Sequence, residues 1–306
     1  MKIVFFGTPE IAVPILETLA QIPDFEVISV VTQPDRPIGR KGAITPPPIK
    51  VSATNLGIKI LQPQNKIELE ELLKDLQADF FIVVAYGMII PQHILAIPKY
   101  GSINVHYSLL PRYRGASPIQ ESLLRGDKAT GVTLIKMDKK LDHGPVFLMK
   151  RIEIEDDDNL LTLSAKLTNL SSQILPLALE DIAQGNLNPI EQPHEQATFC
   201  QKIKKSDGII DWNLSALQIR NMIRAYTPWP SVFTEIGGKK LKILKADVYE
   251  SDENFPPGQF KIEDKILKIS TSKDYLVPKK VQLEGKKEMD IETFLNGYGS
   301  LIKSSN

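Results

Sequence analysis

The sequence has few of the residues that build covalent or metal cross-links. It contains one cysteine, Cys200, and four histidines in 306 residues. A single cysteine excludes an intrachain disulfide and a cysteine-based metal site, and the histidines form no H-E-x-x-H pattern. Long hydrophobic runs are also missing, because the longest apolar stretch, residues 80–91, is interrupted by Tyr86 and Gly87. That stretch is too short to cross a bilayer, so we expect no membrane-spanning segment. Because only one cysteine is present, we expect a location in the reducing cytoplasm.

An excess of charge of one sign is missing as well. Lys+Arg and Asp+Glu number 37 each, charged residues make up 24% and apolar residues 42% of the chain. These values are ordinary for a globular protein and exclude disordered and collagen-like classes. Any contact with nucleic acid must therefore come from local basic patches. The first residues, Met1 and Lys2 followed by an apolar run, indicate an opening strand and no signal peptide.

The first part of the chain alternates β-branched runs with helical periodicity. We predict strands over residues 2–6, 27–31, 58–61, 80–85 and 102–106, and helices over residues 68–76, 118–125 and 159–184. This alternation favours a parallel sheet with right-handed crossovers. Residues 132–137 and 146–154 are expected to pair antiparallel at one edge. The predicted fold class is therefore α/β.

The composition changes at residues 186–208, which carry two prolines, two asparagines and little periodicity. We expect a first domain over residues 1–188, a linker over 189–208 and a second domain over 209–306, in keeping with the length of the chain. In the second domain, Asn213 is placed to cap a helix over 214–225. Short β-rich segments follow at residues 232–236, 241–248, 259–262, 266–270 and 281–283. They predict a small closed OB-like β-barrel, a fold often used for oligonucleotides.

Asn104 and His106 form the most notable polar pair. They lie two residues apart on a predicted buried strand, so their side chains share one face. They also lie at the carboxyl end of that strand, where open α/β sheets place ligands. Burying such a pair costs free energy unless it is satisfied. The pair is therefore either part of a functional site or a self-satisfied Asn–His hydrogen bond.

Asp142 is a second candidate. It follows an apolar strand and precedes His143 and a Gly-Pro turn. A carboxylate at this position can orient and charge an imidazole. The alternative is an Asx turn, which an Asp before Gly-Pro favours, and the local sequence by itself favours that alternative.

Taken together, these segments resemble the 10-formyltetrahydrofolate-dependent formyltransferases. The family's Asn-x-His-x-Ser-Leu-Leu-Pro signature is matched at residues 104–111, its Arg-Gly-Ala segment at 114–116, its catalytic Asp at Asp142 and its Phe-Gly-Thr-Pro-Glu opening at 6–10. The C-terminal domain of the family is matched at residues 207–212, 223–225, 228–230, 284–287 and 294–297. The resemblance covers nearly the whole chain and implies a Rossmann-like formyltransferase domain followed by a small OB-like domain. Departures from the family pattern, which affect pocket details, occur at Tyr107, Lys139, Lys140 and His143.

The resemblance also implies a reaction. The formyl group of 10-formyltetrahydrofolate, a co-substrate, passes to the α-amino group of an initiator methionyl-tRNA, as used in translation initiation. Asn104 would donate a hydrogen bond to the oxyanion that develops. His106, held protonated by Asp142, would add positive charge and give a proton to the leaving folate nitrogen. We expect direct transfer by a monomeric enzyme, with no metal and no covalent intermediate.

Three segments are implied to bind the folate. The first comprises Ser108, Leu109, Leu110 and Pro111, the second comprises Tyr86, Gly87, Met88 and Ile89, and the third spans residues 137–142. A flat heterocycle favours apolar walls with a few polar groups. For the second segment, packing at the end of a strand is an equal alternative.

Residues 34–50 form a basic, proline-rich stretch with four basic residues, one acidic residue, five prolines and two glycines. We expect seventeen residues without regular structure, which inside a domain signals function or disorder. By resemblance this stretch reaches the tRNA acceptor end, with Arg36, Arg40 and Lys41 in contact and Arg40 as the main contact. The alternative is a solvated flexible loop.

Other functions remain open at this point. A formyltransferase for an amino sugar or a small amine, or a formyl-folate hydrolase, would share the Asn-x-His core but would not need the basic stretch. A catalytically silent RNA-binding protein would have no use for three converging polar groups, Asn104, His106 and Asp142.

Overall fold

The computed structural model describes residues 1–38, 42–252, 256–263 and 265–303. Contacts divide the chain into two compact units. The first comprises Met1–Pro118, Ala129–Glu153 and Ser164–Cys200, and the second comprises Ile119–Lys128, Ile154–Leu163 and Gln201–Asn306. The predicted domain boundaries at residues 188 and 209 stay a prediction. Within the described ranges, no helix combines the length and the apolar character needed to cross a membrane.

The first unit contains the strands of an α/β fold. The strands are β1 (Lys2–Gly7), β2 (Glu26–Val31), β3 (Arg36–Ile38), β4 (Ala43–Thr45), β5 (Ile60–Leu61), β6 (Phe80–Val84), β7 (Ser102–His106), β8 (Arg114–Gly115), β9 (Ala129–Lys136), β10 (Val146–Glu153) and β11 (Phe199–Cys200). The helices are α1 (Val13–Gln21), α2 (Pro48–Asn55), α3 (Lys66–Leu73) and α4 (Gln92–Leu95). Two further helices, α5 (Pro118–Leu124) and α6 (Leu160–Gln184), include residues of both units.

Among the described residues, seven strands form the central sheet in the order β10-β9-β7-β6-β1-β2-β5. The strands from β7 to β5 run parallel. Strand β9 is antiparallel to both β7 and β10, which gives the antiparallel edge that the sequence predicts. Because β1, β6 and β7 are parallel, their carboxyl ends lie at one edge of the sheet. The strand order reverses at β1, and open sheets bind ligands outside the carboxyl ends at such a reversal.

The sheet is buried on both faces, as its unbroken apolar strands require. All five residues of β6 are buried, and so are five of the six in β1. On one face, Phe6 packs with Phe81 and Tyr86 at ring-centroid distances of 5.2 and 5.4 Å. Burial of aromatic rings of this size is a large favourable contribution to folding. The predicted α/β class, with a Rossmann-like first domain, is confirmed.

The basic stretch differs from its prediction. Residues 34–50 are not without regular structure, because β3 and β4 pair antiparallel and α2 starts at Pro48. Pairing of Arg36 with Thr45 closes the base of this hairpin. Pro37, the proline within β3, is tolerated because a two-stranded ribbon has only edge strands. Pro48 occupies the first position of α2, where a missing N–H is not needed.

The second unit is built on an antiparallel sheet. Its strands are β12 (Val232–Ile236), β13 (Lys239–Tyr249), β14 (Phe260–Glu263), β15 (Ile266–Ser270), β16 (Tyr275–Leu283) and β17 (Met289–Asp290). Its remaining helices are α7 (Ala216–Tyr226), α8 (Ile291–Tyr298) and α9 (Ser300–Lys303). The strand order is β12-β13-β16-β15-β14, with β17 on β16, and α7 packs on β13 and β16. The turn between β12 and β13 is Gly237-Gly238, both at positive φ, the backbone conformation that tight hairpin turns favour.

The OB-like class of this unit is confirmed, with two corrections. The described strands pair along an open path from β12 to β14, so the sheet is a curled half-barrel and not the closed barrel we expected. Helix α7 is capped by Ser215 and not by Asn213. Ser215 accepts a hydrogen bond from the Gln218 backbone N–H and donates its own backbone N–H to the Gln218 side chain. This reciprocal capping box satisfies two amide groups at once, whereas the Asn213 side chain bonds Asp211.

Candidate active site

Strand β7 positions the two polar residues of the signature. Asn104 and His106 alternate with buried apolar neighbours, so both side chains lie on one face of the sheet. Across the antiparallel pair, Asn104 lies opposite Ile135 and His106 lies opposite Thr133. His106 is 5% exposed, whereas Asn104 is partly exposed. The amide is therefore more accessible than the imidazole.

Asp142 joins this pair from the turn between β9 and β10. Its Oδ1 accepts a hydrogen bond from Asn104 Nδ2 at 3.2 Å and lies 3.6 Å from His106 Nδ1. Its Oδ2 accepts the backbone N–H of Gly115 at 2.8 Å. The carboxylate is 8% exposed. One buried anion thus connects the amide, the imidazole and the backbone of β8.

The imidazole of His106 lies between two acceptors. Its Nε2 is 3.1 Å from the carbonyl oxygen of Tyr113, and its Nδ1 faces Asp142. Because both neighbours are acceptors, a ring with a proton on each nitrogen matches both. The 3.6 Å separation from Asp142 is within the range of an ion pair with a protonated ring and is longer than a hydrogen bond.

The geometry decides between the alternatives for these residues. The Asn104 amide bonds Asp142 and not His106, so the pair is not a self-satisfied Asn–His hydrogen bond. The Asp142 carboxylate bonds residues far from it in sequence and forms no Asx turn among the described contacts. The turn of that kind is formed by Asp138, whose carboxylate accepts the Lys140 backbone N–H.

The segment after β7 is held by hydrogen bonds from two hydroxyl groups, those of Thr133 and Ser108. Thr133 Oγ1 donates to the Ser108 carbonyl at 2.6 Å and accepts the Leu110 backbone N–H at 3.3 Å. Ser108 Oγ donates to the Arg112 carbonyl. Ser108 and Leu110 are buried, whereas Leu109 and Pro111 are partly exposed. Folate binding by these four residues stays a prediction.

The segment after β6 has a buried end and an exposed tip. Tyr86 is 2% exposed, its carbonyl accepts a hydrogen bond from Thr8, and burial raises the pKa of its hydroxyl. Gly87 is exposed and Met88 is partly exposed. Ile89 is 71% exposed, an unusual state for an isoleucine next to a buried sheet. The tip, and not Tyr86, therefore presents apolar surface, and its role in folate binding stays a prediction.

The hairpin of β3 and β4 presents Arg36 on its surface. Arg36 is exposed, and its guanidinium donates to the Gln33 side chain at 3.0 Å. Ile44 is 67% exposed. The other two residues predicted to contact tRNA, Arg40 and Lys41, lie outside the described residues.

The residues that depart from the family pattern occupy three environments: buried, exposed and partly buried. Tyr107 is buried, and burial raises the pKa of its hydroxyl. Lys139 and Lys140 are exposed. His143 binds Asp138 through Nδ1 at 2.8 Å and stacks on the ring of His194 at 3.9 Å. None of these four contacts the Asp142 carboxylate through a hydrogen bond that the structure describes.

Sequence reasoning missed Gln192 and assigned Arg114 no contact. Gln192 lies in the segment taken as a linker, yet it is 4% exposed and donates to the backbone carbonyls of Asp142 and Gly144. Arg114, also 4% exposed, donates to the Gln192 side chain. A glutamine between prolines in an aperiodic segment carries no signal that would reveal these contacts. No group of three His, Cys, Asp or Glu residues in the described ranges could hold a metal ion.

Comparison with known proteins identifies the family. The formyl transferase model matches residues 1–179, and the model of the formyl transferase C-terminal domain matches residues 202–299. A protein named methionyl-tRNA formyltransferase from Caldicellulosiruptor saccharolyticus is 42% identical over 97% of this chain and 97% of its own length. A protein of the same name from Caldanaerobacter subterraneus subsp. tengcongensis is 43% identical over 99% of this chain and all of its own.

The fold is shared with a solved structure as well. The structure of WlaRD, a sugar 3N-formyl transferase crystallised in the presence of dTDP and 5-N-formyl-THF, superposes with a TM-score of 0.68. The alignment covers 94% of this chain and 99% of that one at 21% sequence identity, so it supports the fold alone. From the two matched domain models and the full-length relatives, we conclude that this chain belongs to the formyl transferase family.

Proposed function

We propose that this protein transfers the formyl group of 10-formyltetrahydrofolate to the α-amino group of an initiator methionyl-tRNA, a reaction of translation initiation. The observation that carries the chemistry is the convergence of the Asn104 amide and the His106 imidazole on the Asp142 carboxylate. The choice of acceptor is supported by full-length relatives named methionyl-tRNA formyltransferase. It is also supported by the hairpin that carries the basic stretch.

Asn104 is proposed to stabilise the oxyanion. One N–H of its amide donates to Asp142, and the second has no partner among the described residues. Because the amide is planar, the bond to Asp142 also fixes the direction of the second N–H. A donor held in place before the reaction stabilises developing charge without reorganisation, and losing one such donor typically costs about 10²- to 10³-fold in rate.

His106 is proposed to supply positive charge and then a proton. A protonated ring next to the Asn104 amide adds to the stabilisation of the oxyanion in a site of low dielectric constant. The leaving nitrogen of the folate must take up a proton as its bond to the formyl carbon breaks. In this structure His106 Nε2 faces the Tyr113 carbonyl oxygen. To protonate the folate nitrogen, Nε2 would exchange its contact with this carbonyl for one with the folate. Such bonds commonly rearrange when substrate binds.

The acceptor amine needs less help. A free α-amine titrates at about pH 7.7–8.0 in model compounds, so a useful fraction is unprotonated near neutral pH. The amine attacks the formyl carbon and gives a tetrahedral oxyanion, which collapses as the bond to the folate nitrogen breaks. The amine loses a proton to solvent, and the folate nitrogen takes up one from His106. No side chain of the site has to form a covalent intermediate.

Exposed apolar side chains around the rim fit a flat heterocycle. Leu141, next to Asp142, is 69% exposed, and Ile89 is 71% exposed. Met137 packs against the cluster that contains Tyr86, so the segments after β6 and β9 adjoin. We propose that these two segments, together with Leu109 and Pro111, bind the pterin of the co-substrate. Pockets of this kind combine apolar walls with a few polar groups.

A transfer assay tests the function. With radiolabelled 10-formyltetrahydrofolate, we expect label to appear on methionyl-tRNA, with kcat/KM at least about 10³-fold above that for nucleotide-linked amino sugars. Transfer to an amino sugar with equal efficiency would contradict the proposed acceptor. Release of free formate without transfer would instead indicate a formyl-folate hydrolase. If the folate were not turned over at all, the remaining alternative would be a catalytically silent RNA-binding protein.

A further inference from the structure

Gln192 is a buried side chain whose hydrogen-bonding capacity is completely used. Its Nε2 donates to the carbonyl oxygens of Asp142 at 3.0 Å and Gly144 at 2.7 Å. Its Oε1 accepts from Nε and NH2 of Arg114 at 3.1 and 2.6 Å. A side-chain amide offers two N–H donors and two lone pairs. The reverse orientation would place oxygen against two carbonyls and NH2 against a guanidinium, so the contacts fix how the amide is oriented.

The two carbonyls that Gln192 binds belong to the turn that carries Asp142. Asp142 has φ of 51°, in the left-handed region, which is uncommon for residues other than glycine and is adopted mainly by Asn, Asp and His. Gly144 packs so closely on β9 that a Cβ there would lie 1.8 Å from the Lys136 carbonyl oxygen. The turn therefore packs tightly against the end of β9 at Gly144. The carbonyl oxygens of Asp142 and Gly144 in the turn accept hydrogen bonds from Gln192.

Arg114 and its neighbour Gly115 connect Gln192 to the carboxylate itself. Arg114 is oriented by Gln192 and by His194, whose Nδ1 lies 2.9 Å from its NH2 group. The next residue, Gly115, donates its backbone N–H to Asp142 Oδ2. The same short strand, β8, thus binds the Asp142 carboxylate directly and the Asp142 backbone through Gln192.

From this geometry we propose that Gln192 is a positioning residue for formyl transfer. It holds Asp142 in the left-handed conformation in which the carboxylate contacts Asn104, His106 and Gly115 together. Gln192 touches no reacting atom and acts through Asp142. The proposal rests on the proposed function only for its effect on turnover, whereas the effect on Asp142 itself is independent of the reaction.

Hydrogen exchange of the Gly115 amide reports on Asp142 without any substrate. In Gln192→Ala we expect this amide to exchange at least about tenfold faster than in the wild-type protein, because its acceptor is released. Amides of β6 should keep their wild-type rates, which separates this effect from a general loss of stability. The matched control is Gln196→Ala, an exposed glutamine of the same segment, which should change neither rate. Unchanged Gly115 exchange, or equal acceleration in β6, would overturn the proposal.

Kinetics then separate positioning from packing. Gln192→Ala is expected to lower kcat by about 10- to 100-fold, the usual cost of a small misplacement, with KM for both substrates within about twofold. Gln192→Glu keeps the shape and the acceptor for Arg114 but loses the donors to both carbonyls, so it should be as defective. Recovery of wild-type kcat by this variant would show that only packing matters.

A double-mutant cycle gives the second kinetic readout. In an Asp142→Asn background, measured under single-turnover conditions with excess enzyme, Gln192→Ala should lower the rate by less than about twofold. Residues that act through one another are non-additive in this way. Equal losses in both backgrounds would contradict action through Asp142. If the wild-type protein formylates no tRNA, the proposed function fails while the Gly115 exchange result still decides the role of Gln192.

Discussion

The side-chain amide of Asn104 donates a hydrogen bond to the Asp142 carboxylate, with 3.2 Å between Nδ2 and Oδ1. The two residues are 38 positions apart and come from different elements, β7 and the turn after β9. The carboxylate therefore does more than face the imidazole of His106. It also fixes the plane of the amide that we propose as the oxyanion donor.

The first prediction concerns that amide. Asn104→Ala is expected to lower kcat by about 10²- to 10³-fold, because one preorganised donor is lost. Affinity for methionyl-tRNA, measured by filter binding, should stay within about twofold of wild type. The control is Asn186→Ala, an exposed asparagine whose described side-chain bond is to Gln184. Unchanged turnover of Asn104→Ala would refute the oxyanion role.

The second prediction concerns the close packing of the Asp142 turn. In Gly144→Ala the new methyl group would lie 1.8 Å from the Lys136 carbonyl oxygen, so the turn or the end of β9 must move. We expect a loss of about 1–3 kcal/mol in the free energy of unfolding, together with a fall in kcat as Asp142 shifts. Chemical denaturation and single-turnover assays measure the two effects.

A matched glycine provides the comparison for Gly144. Gly297 lies in α8, and a Cβ there would have no heavy atom within 4 Å. Gly297→Ala should therefore leave activity unchanged and raise the free energy of unfolding by up to about 1 kcal/mol. If the two variants had the same free energy of unfolding and the same kcat, the chain around Gly144 would accommodate the methyl group without loss of stability or activity.

Much of the fold could be predicted because local patterns are strong where the sheet is buried. The unbroken apolar run of β6 identifies a strand covered on both faces, and the period of two places Asn104 and His106 on one face. Asp142 was a candidate from its position before His143 and a Gly-Pro turn, and the resemblance to known formyltransferases favoured a catalytic role for it. Local sequence around Asp142 favours an Asx turn, because nothing in it shows the distant Asn104 and Gly115 donors.

The rest of the site depends on contacts across long stretches of chain. Gln192 binds the backbone of a residue 50 positions away, and its own segment has no periodic pattern. The hairpin of β3 and β4 was missed because prolines and glycines are typical of loops, while cross-strand pairing decides the outcome. The cap of α7 was placed at Asn213 because either residue type is a good cap, and only the Ser215–Gln218 reciprocity decides between them.

The third prediction concerns pH and the base of the hairpin. Asp35 accepts hydrogen bonds from Gln62 Nε2 at 2.8 Å and from Lys50 Nζ at 2.8 and 2.9 Å. The Gln62 bond first, and Lys50 next, lower the pKa of Asp35 in the folded protein. The stabilisation that ionised Asp35 contributes to the folded protein is thus fully present above the pKa of Asp35 in the unfolded chain, about 3.9. It is lost as the pH falls through the lower pKa of Asp35 in the folded protein.

Thermal unfolding between about pH 2 and pH 6 tests this linkage. Asp35→Asn should be less stable than wild type at pH 6, and the difference should shrink below about pH 4. Gln62→Met, which removes only the amide donor, should give an intermediate profile. If the difference in stability between wild type and Asp35→Asn were the same at every pH, titration of Asp35 would not contribute to the loss of stability in acid.

The last prediction concerns recognition of tRNA by the hairpin. Arg40 lies in sequence between β3 and β4, in a stretch that also carries the exposed Arg36. A cation that contacts a phosphate releases counterions, so its loss lowers the dependence of log K on log salt by about one unit. Arg40→Ala should therefore raise KM for methionyl-tRNA about tenfold at low salt and reduce that slope, while KM for the folate stays the same.

Lys74→Ala, which removes an exposed charge paired with Glu71 on α3, should change neither KM. Equal effects of Arg40→Ala on both substrates would place Arg40 at the folate site or in the fold, and not at the tRNA.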